Sequence, residues 1–134
     1  MMGYYLKLYF ATLVAFLAID LVWLGLVART FYNKHLGFLM APQVNWPAAL
    51  IFYLLFVVGI LVFAVLPGLE AGSLTTTLVR AALFGLIAYA TYDLTNLATL
   101  KDWPVLVTVV DLIWGMVLSV VVSCAGYLAG KWLS

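Results

Sequence analysis

Asp-Leu occurs three times in this chain, each time inside an apolar run: "AIDLVWLG" around Asp20, "TYDLTNLA" around Asp93 and "VVDLIWGM" around Asp111. A carboxyl group can carry a proton, hold a cation or act as a general acid or base. Placing an ionised Asp at the centre of a bilayer costs on the order of 2.5–3.5 kcal/mol on insertion scales. No Lys or Arg lies at the depth of these acids to neutralise them: Arg80, for example, is thirteen residues from Asp93, ~20 Å along a helix axis. Three such acids therefore either carry protons or enclose something cationic, such as a proton-carrying water chain, a metal ion or an ammonium group.

The elements that position them follow from composition. The chain has 134 residues, 68% hydrophobic and 8% charged, with a mean hydropathy of +1.22. A soluble domain carries roughly 25% charged residues, so this is an integral membrane protein. Its length holds about four spans of ~20 residues. Apolar runs between breakers predict helices over 5–28, 47–66, 76–100 and 104–128, with an interfacial loop at 29–46. The first run is too long for a cleaved signal peptide and contains Asp20. Short turns, "PGLEAG" and "KDW", force antiparallel neighbours, giving one all-α domain over 1–134, an up-down-up-down four-helix bundle. The 29–46 segment is either a short amphipathic helix in the headgroup region or a partly ordered loop.

Two helices open alike, on "NWP" (Asn45–Pro47) and "DWP" (Asp102–Pro104). Asn and Asp are good N-caps, Pro is tolerated in a first turn, and Trp favours the bilayer interface. The echo fits a duplicated helical hairpin, but helix-start chemistry alone also produces it. Basic residues divide equally between the two faces, Lys7, Arg80 and Lys131 against Arg29, Lys34 and Lys101, so the positive-inside rule sets no orientation.

If Arg29, Lys101 and Pro104 mark one membrane face, Asp20, Asp93 and Asp111 all lie ~10–14 Å below it. Asp111, Gly115, Ser119 and Ser123 form one stripe of the fourth helix, and Gly85, Tyr89 and Asp93 one of the third. Small residues at that spacing mark close helix contact, within the bundle or between two copies. Asn96 and Thr108, each about one turn from an acid, are the expected hydrogen-bonding partners, with Trp23, Tyr89, Tyr92 and Trp114 as an aromatic flank. A single buried Asp reads best as interhelical polar glue, at ~0.6–2 kcal/mol. Three at one depth favour a water-accessible pocket opening towards the Arg29/Lys101 face.

Other chemistries lack their residues. One Cys and one His make no disulfide or metal framework, and a net charge of +1 without a basic patch excludes nucleic acid. His35 reads as a loop residue, Cys124 as packing, and Trp46, Trp103 and Trp132 as interface or packing residues. The Gly-x-Gly-Asp motif of intramembrane aspartyl proteases is missing, since "TVVD" stands at Asp111. No cofactor is indicated by any motif.

"APQVN", "YDLTNLATLKDWP" and "VDLIWG" together resemble the domain-of-unknown-function 2177 family of small bacterial membrane proteins, along the whole chain. The resemblance implies a four-helix protein of the bacterial inner membrane. It implies no activity, so no catalytic residue is carried over. The leading reading is a membrane protein whose acidic pocket, Asp20, Asp93 and Asp111 with Asn96 and Thr108, binds or conducts a small cationic or protic species. Its partners would be the lipid bilayer and either further copies of itself or a larger membrane complex. The alternatives are an accessory or assembly subunit of a larger, energy-transducing membrane complex, and a lipid-modifying enzyme using the aspartates as acid and base.

Overall fold

The computed structural model describes residues 1–134. The chain is 89% helical, has no strands, and contains four helices long and apolar enough to cross a membrane. The first span is α1 (Met2–Trp23), a π turn (Leu24–Ala28), α2 (Arg29–Leu36) and a 3-10 turn (Gly37–Leu39). The second is α3 (Trp46–Ile60), a π turn (Leu61–Val65) and α4 (Leu66–Ala71); the third is α5 (Leu74–Thr99) and the fourth α6 (Val105–Leu133). Short connections make the spans antiparallel. Helix α6 is the spine: it packs most extensively on α5, then on α1, and less on the second span. The two hairpins are thus unequal, the second tightly packed along its length and the first loosely.

The apolar core lies between the spans, with Phe16, Val57, Ile60, Val65, Leu118 and Val122 buried together. Most other large apolar side chains face outward, as a lipid-embedded bundle requires. Helix α5 meets α6 through the small-residue stripe. A Cβ on Gly85 would run into the Gly115 carbonyl and the Ser119 hydroxyl, and one on Gly115 into the Tyr89 ring. The stripe is therefore consumed inside the bundle. The buried Ser119 and Ser123 hydroxyls have no hydrogen-bond partner, so these serines serve closeness rather than polar bonding.

Two helix ends differ from the sequence expectation. Arg29 does not stop the first helix, which runs on to Leu36, so residues 29–36 are helical rather than a loop. Leu36 is buried against Trp103 and Val107, which docks α2 onto the start of α6. Nor does the second span stop before "PGLEAG". Pro67 lies inside it, and the helix ends at Gly72, whose φ of 65° is the left-handed cap that glycine accepts.

A proline inside a helix removes one N–H and crowds the carbonyl four residues earlier, here Phe63. The π turn before Pro67 opens the ladder, and α5 fills it. Arg80 Nε donates to the Phe63 carbonyl (2.6 Å), and Thr77 Oγ1 donates to the Ala64 carbonyl (2.9 Å). Thr77→Val should leave the Ala64 carbonyl without that donor in a dry setting. A loss of ~1 kcal/mol is expected in unfolding titrations in mixed micelles; an unchanged midpoint would mean the bond contributes nothing.

The two "WP" openings also diverge. Asn45 caps α3 as expected, its side chain accepting from Ala48 N (3.3 Å), and Trp46 is exposed. Asp102 caps nothing; it sits at φ 60°, and α6 starts after Pro104. Trp103 is buried, its indole N–H donating to Thr108 Oγ1 (3.1 Å), and is no interface anchor.

Candidate functional site

Packing fixes the level of each acid. Between α1 and α6, Tyr4 donates to the Gly130 carbonyl (2.9 Å), Thr12 lies against Gly126, and Trp23 stacks on Trp114 with centroids 4.1 Å apart. Asp20 is three residues to one side of the Trp23/Trp114 level and Asp111 three to the other. Six residues correspond to ~9 Å along the axis. Between α5 and α6, Tyr89 lies on Gly115 and Asp93 lies beside Asp111. Asp93 and Asp111 therefore form a pair, and Asp20 sits more than a turn deeper. The expected single layer fails because Arg29, its reference for depth, is mid-helix.

Asp93 is fully buried and Asp111 nearly so. The two carboxyls approach one another, and Asp111 is the only side chain within hydrogen-bonding reach of Asp93. Asp111 accepts from the Tyr32 hydroxyl. Tyr32 reaches it because α2 continues the first helix alongside α6, and side chains on a helix lean toward its N-terminus. Sequence reasoning missed Tyr32 by ending the helix at Arg29; the signal was the absence of any strong breaker between Trp23 and Leu36.

A cavity of about 260 Å³ lies in the half of the bundle where α3 begins and α5 ends. Asp20 and Asp111 both line it, as do Trp23, Trp114, Tyr89 and Tyr92 of the expected aromatic flank. Tyr32, Phe52 and Tyr53 complete the aromatic wall and were not anticipated. Leu24 and Ala49 are its purely aliphatic members. Asp93 stands behind Asp111 rather than on the wall.

The two expected hydrogen-bonding partners lie elsewhere. Thr108 is engaged by Trp103, and Asn96, half-buried beside Tyr92, is not on the cavity wall. Gly85, Gly115, Ser119 and Ser123 hold α5 and α6 together beneath the acid pair, as described above.

A family model described as a predicted membrane protein (DUF2177) matches residues 5–128. The chain belongs to this family. No curated protein and no solved structure matches it. In this DUF2177 protein the most specific sequence element, "YDLTNLATL", contributes Tyr92 to the cavity and Asp93 to the acid pair. The "VDLIWG" element contributes Asp111, Trp114 and the close-contact Gly115.

Proposed function

We propose that this membrane protein binds a small cationic or protic species in the cavity between its spans, using Asp20 and Asp111 at the wall and Asp93 behind them. One observation carries the reading: Asp93 is fully buried, and the only side chain within its hydrogen-bonding reach is another carboxyl, Asp111. Two adjacent carboxyls away from water cannot both be ionised without a counter-charge. The pair therefore holds either a proton or a cation, and exchanging one for the other is the chemistry it is suited to. The bacterial inner membrane is the setting that the family resemblance suggests.

Polar glue is the competing account, and it predicts saturated hydrogen bonds. Asp93 has no donor within the chain other than the Asp111 carboxyl itself. The test uses purified protein in lipid nanodiscs in weak buffer, titrated with salts of sodium, potassium, ammonium and tetraethylammonium ions. At least one cation should release protons saturably, and Asp111→Asn should abolish the release while the protein still elutes as a folded species. Proton release that is absent for every cation, or equal in Asp111→Asn, contradicts the proposal. The same protein in vesicles with a trapped pH dye separates a carrier, which shows flux, from a static site.

A further inference from the structure

We infer that the species bound in the cavity is a small organic ammonium ion, seated against aromatic faces between Asp20 and Asp111. The inference rests on the reading of the site as a cation pocket and names its ligand class.

Three features of the cavity point the same way. First, a metal ion needs several oxygen or nitrogen ligands converging at ~2–2.6 Å. Asp20 and Asp111 stand ~9 Å apart along the bundle axis and cannot converge on one ion, and no group of three or more His, Cys, Asp or Glu side chains gathers anywhere in the chain. Second, the wall is mostly aromatic. Tyr89 lies within electrostatic reach of all three acids and Tyr53 within reach of Asp20. Aromatic faces attract cations through their ring quadrupole, and they suit alkylated ammonium ions, which give up their hydration readily. Third, the cavity of about 260 Å³ is far larger than a bare ion. It is just below the ~300–1,000 Å³ of pockets that hold drug-sized ligands, which leaves room for an ion the size of tetraethylammonium.

The arrangement also explains why the acids are spread along the axis. An organic cation presents its charge over an extended surface, so one carboxylate at each end can attract it while the rings cover its methylenes. A proton alone would need the acid pair and water, and would gain nothing from the rings.

The test is isothermal titration of the nanodisc-embedded protein with tetraethylammonium chloride, against sodium chloride at matched ionic strength. Saturable binding is expected with tetraethylammonium, with no competition from sodium. Asp20→Asn should weaken it ~10-fold or more, Tyr89→Leu and Tyr53→Leu similarly, and Tyr89→Phe little, since it keeps the ring. Two leucine variants guard against one of them misfolding, because Tyr89 also packs on Gly115. If sodium, potassium or protons engage the aspartates but tetraethylammonium does not bind, the ligand class is wrong and the cation pocket stands. If no cation binds or displaces protons, both fail. Tetraethylammonium binding that is indifferent to Asp20→Asn and both leucine variants lies outside this cavity and also overturns the inference.

Discussion

Gly85→Val should separate α5 from α6 and leave little folded protein. A Cβ at position 85 meets the carbonyl of Gly115, a backbone atom that cannot rotate away, as well as the Ser119 hydroxyl. Valine adds two methyl groups to that collision. Overpacking a well-packed contact costs typically 1–3 kcal/mol, and here the obstacle is main chain on the most extensive interface of the bundle. Helix association in membranes is driven by this kind of close packing, since lipid is as apolar as the side chains. The check is the monodisperse fraction after detergent extraction, together with the midpoint of a denaturing-detergent titration. Gly3→Val, at a position with open space around it, is the control and should behave as wild type. A normal yield and midpoint for Gly85→Val would mean that the α5–α6 contact is looser than described.

Asp93→Val should do the opposite to stability and the same to function. Valine is close to aspartate in size, so it fills the site without a void, and it removes a buried carboxyl whose one partner is another carboxyl. Removing such a group is expected to stabilise the fold by on the order of 1–3 kcal/mol, within the insertion cost of an intramembrane acid. Cation-linked proton release should vanish in the same variant. A residue that weakens the fold and is retained for activity behaves this way. A structural hydrogen-bonding residue does not; its loss lowers stability. A destabilised Asp93→Val with wild-type proton release would identify Asp93 as glue.

The parts of this molecule visible in its sequence are those set by local periodicity. Four apolar runs give four spans, and the four-residue spacing of Asp111, Gly115 and Ser119 places them on the face that meets Gly85, Tyr89 and Asp93. The parts that were not visible depend on partners remote in sequence. Arg29 looked like a membrane boundary because it is charged, but arginine is a good helix former and its exposed side chain can leave the bilayer without ending the helix. With Arg29 as a helix end, Tyr32 falls in a loop and Asp20 stands too high.

Pro67 looked like a stop for a similar reason. The helix passes through it because Thr77 and Arg80, from the next span, occupy carbonyls near the break. "DWP" looked like "NWP", yet Trp103 finds Thr108 and turns inward while Trp46 faces out. In each case the residue type was read correctly for an isolated helix, and a tertiary contact decided otherwise.

The central claim is that the Asp93–Asp111 pair holds a proton, which it gives up when a cation binds at the cavity wall. Infrared difference spectroscopy of the protein in oriented lipid films, with and without tetraethylammonium or the cation found active by titration, tests it most directly. Addition of the cation should remove the C=O stretch of a protonated carboxyl and add carboxylate bands. Asp93→Asn and Asp111→Asn should each abolish that change. An unchanged carboxyl region in the wild-type protein, or a change that survives both substitutions, would contradict the account.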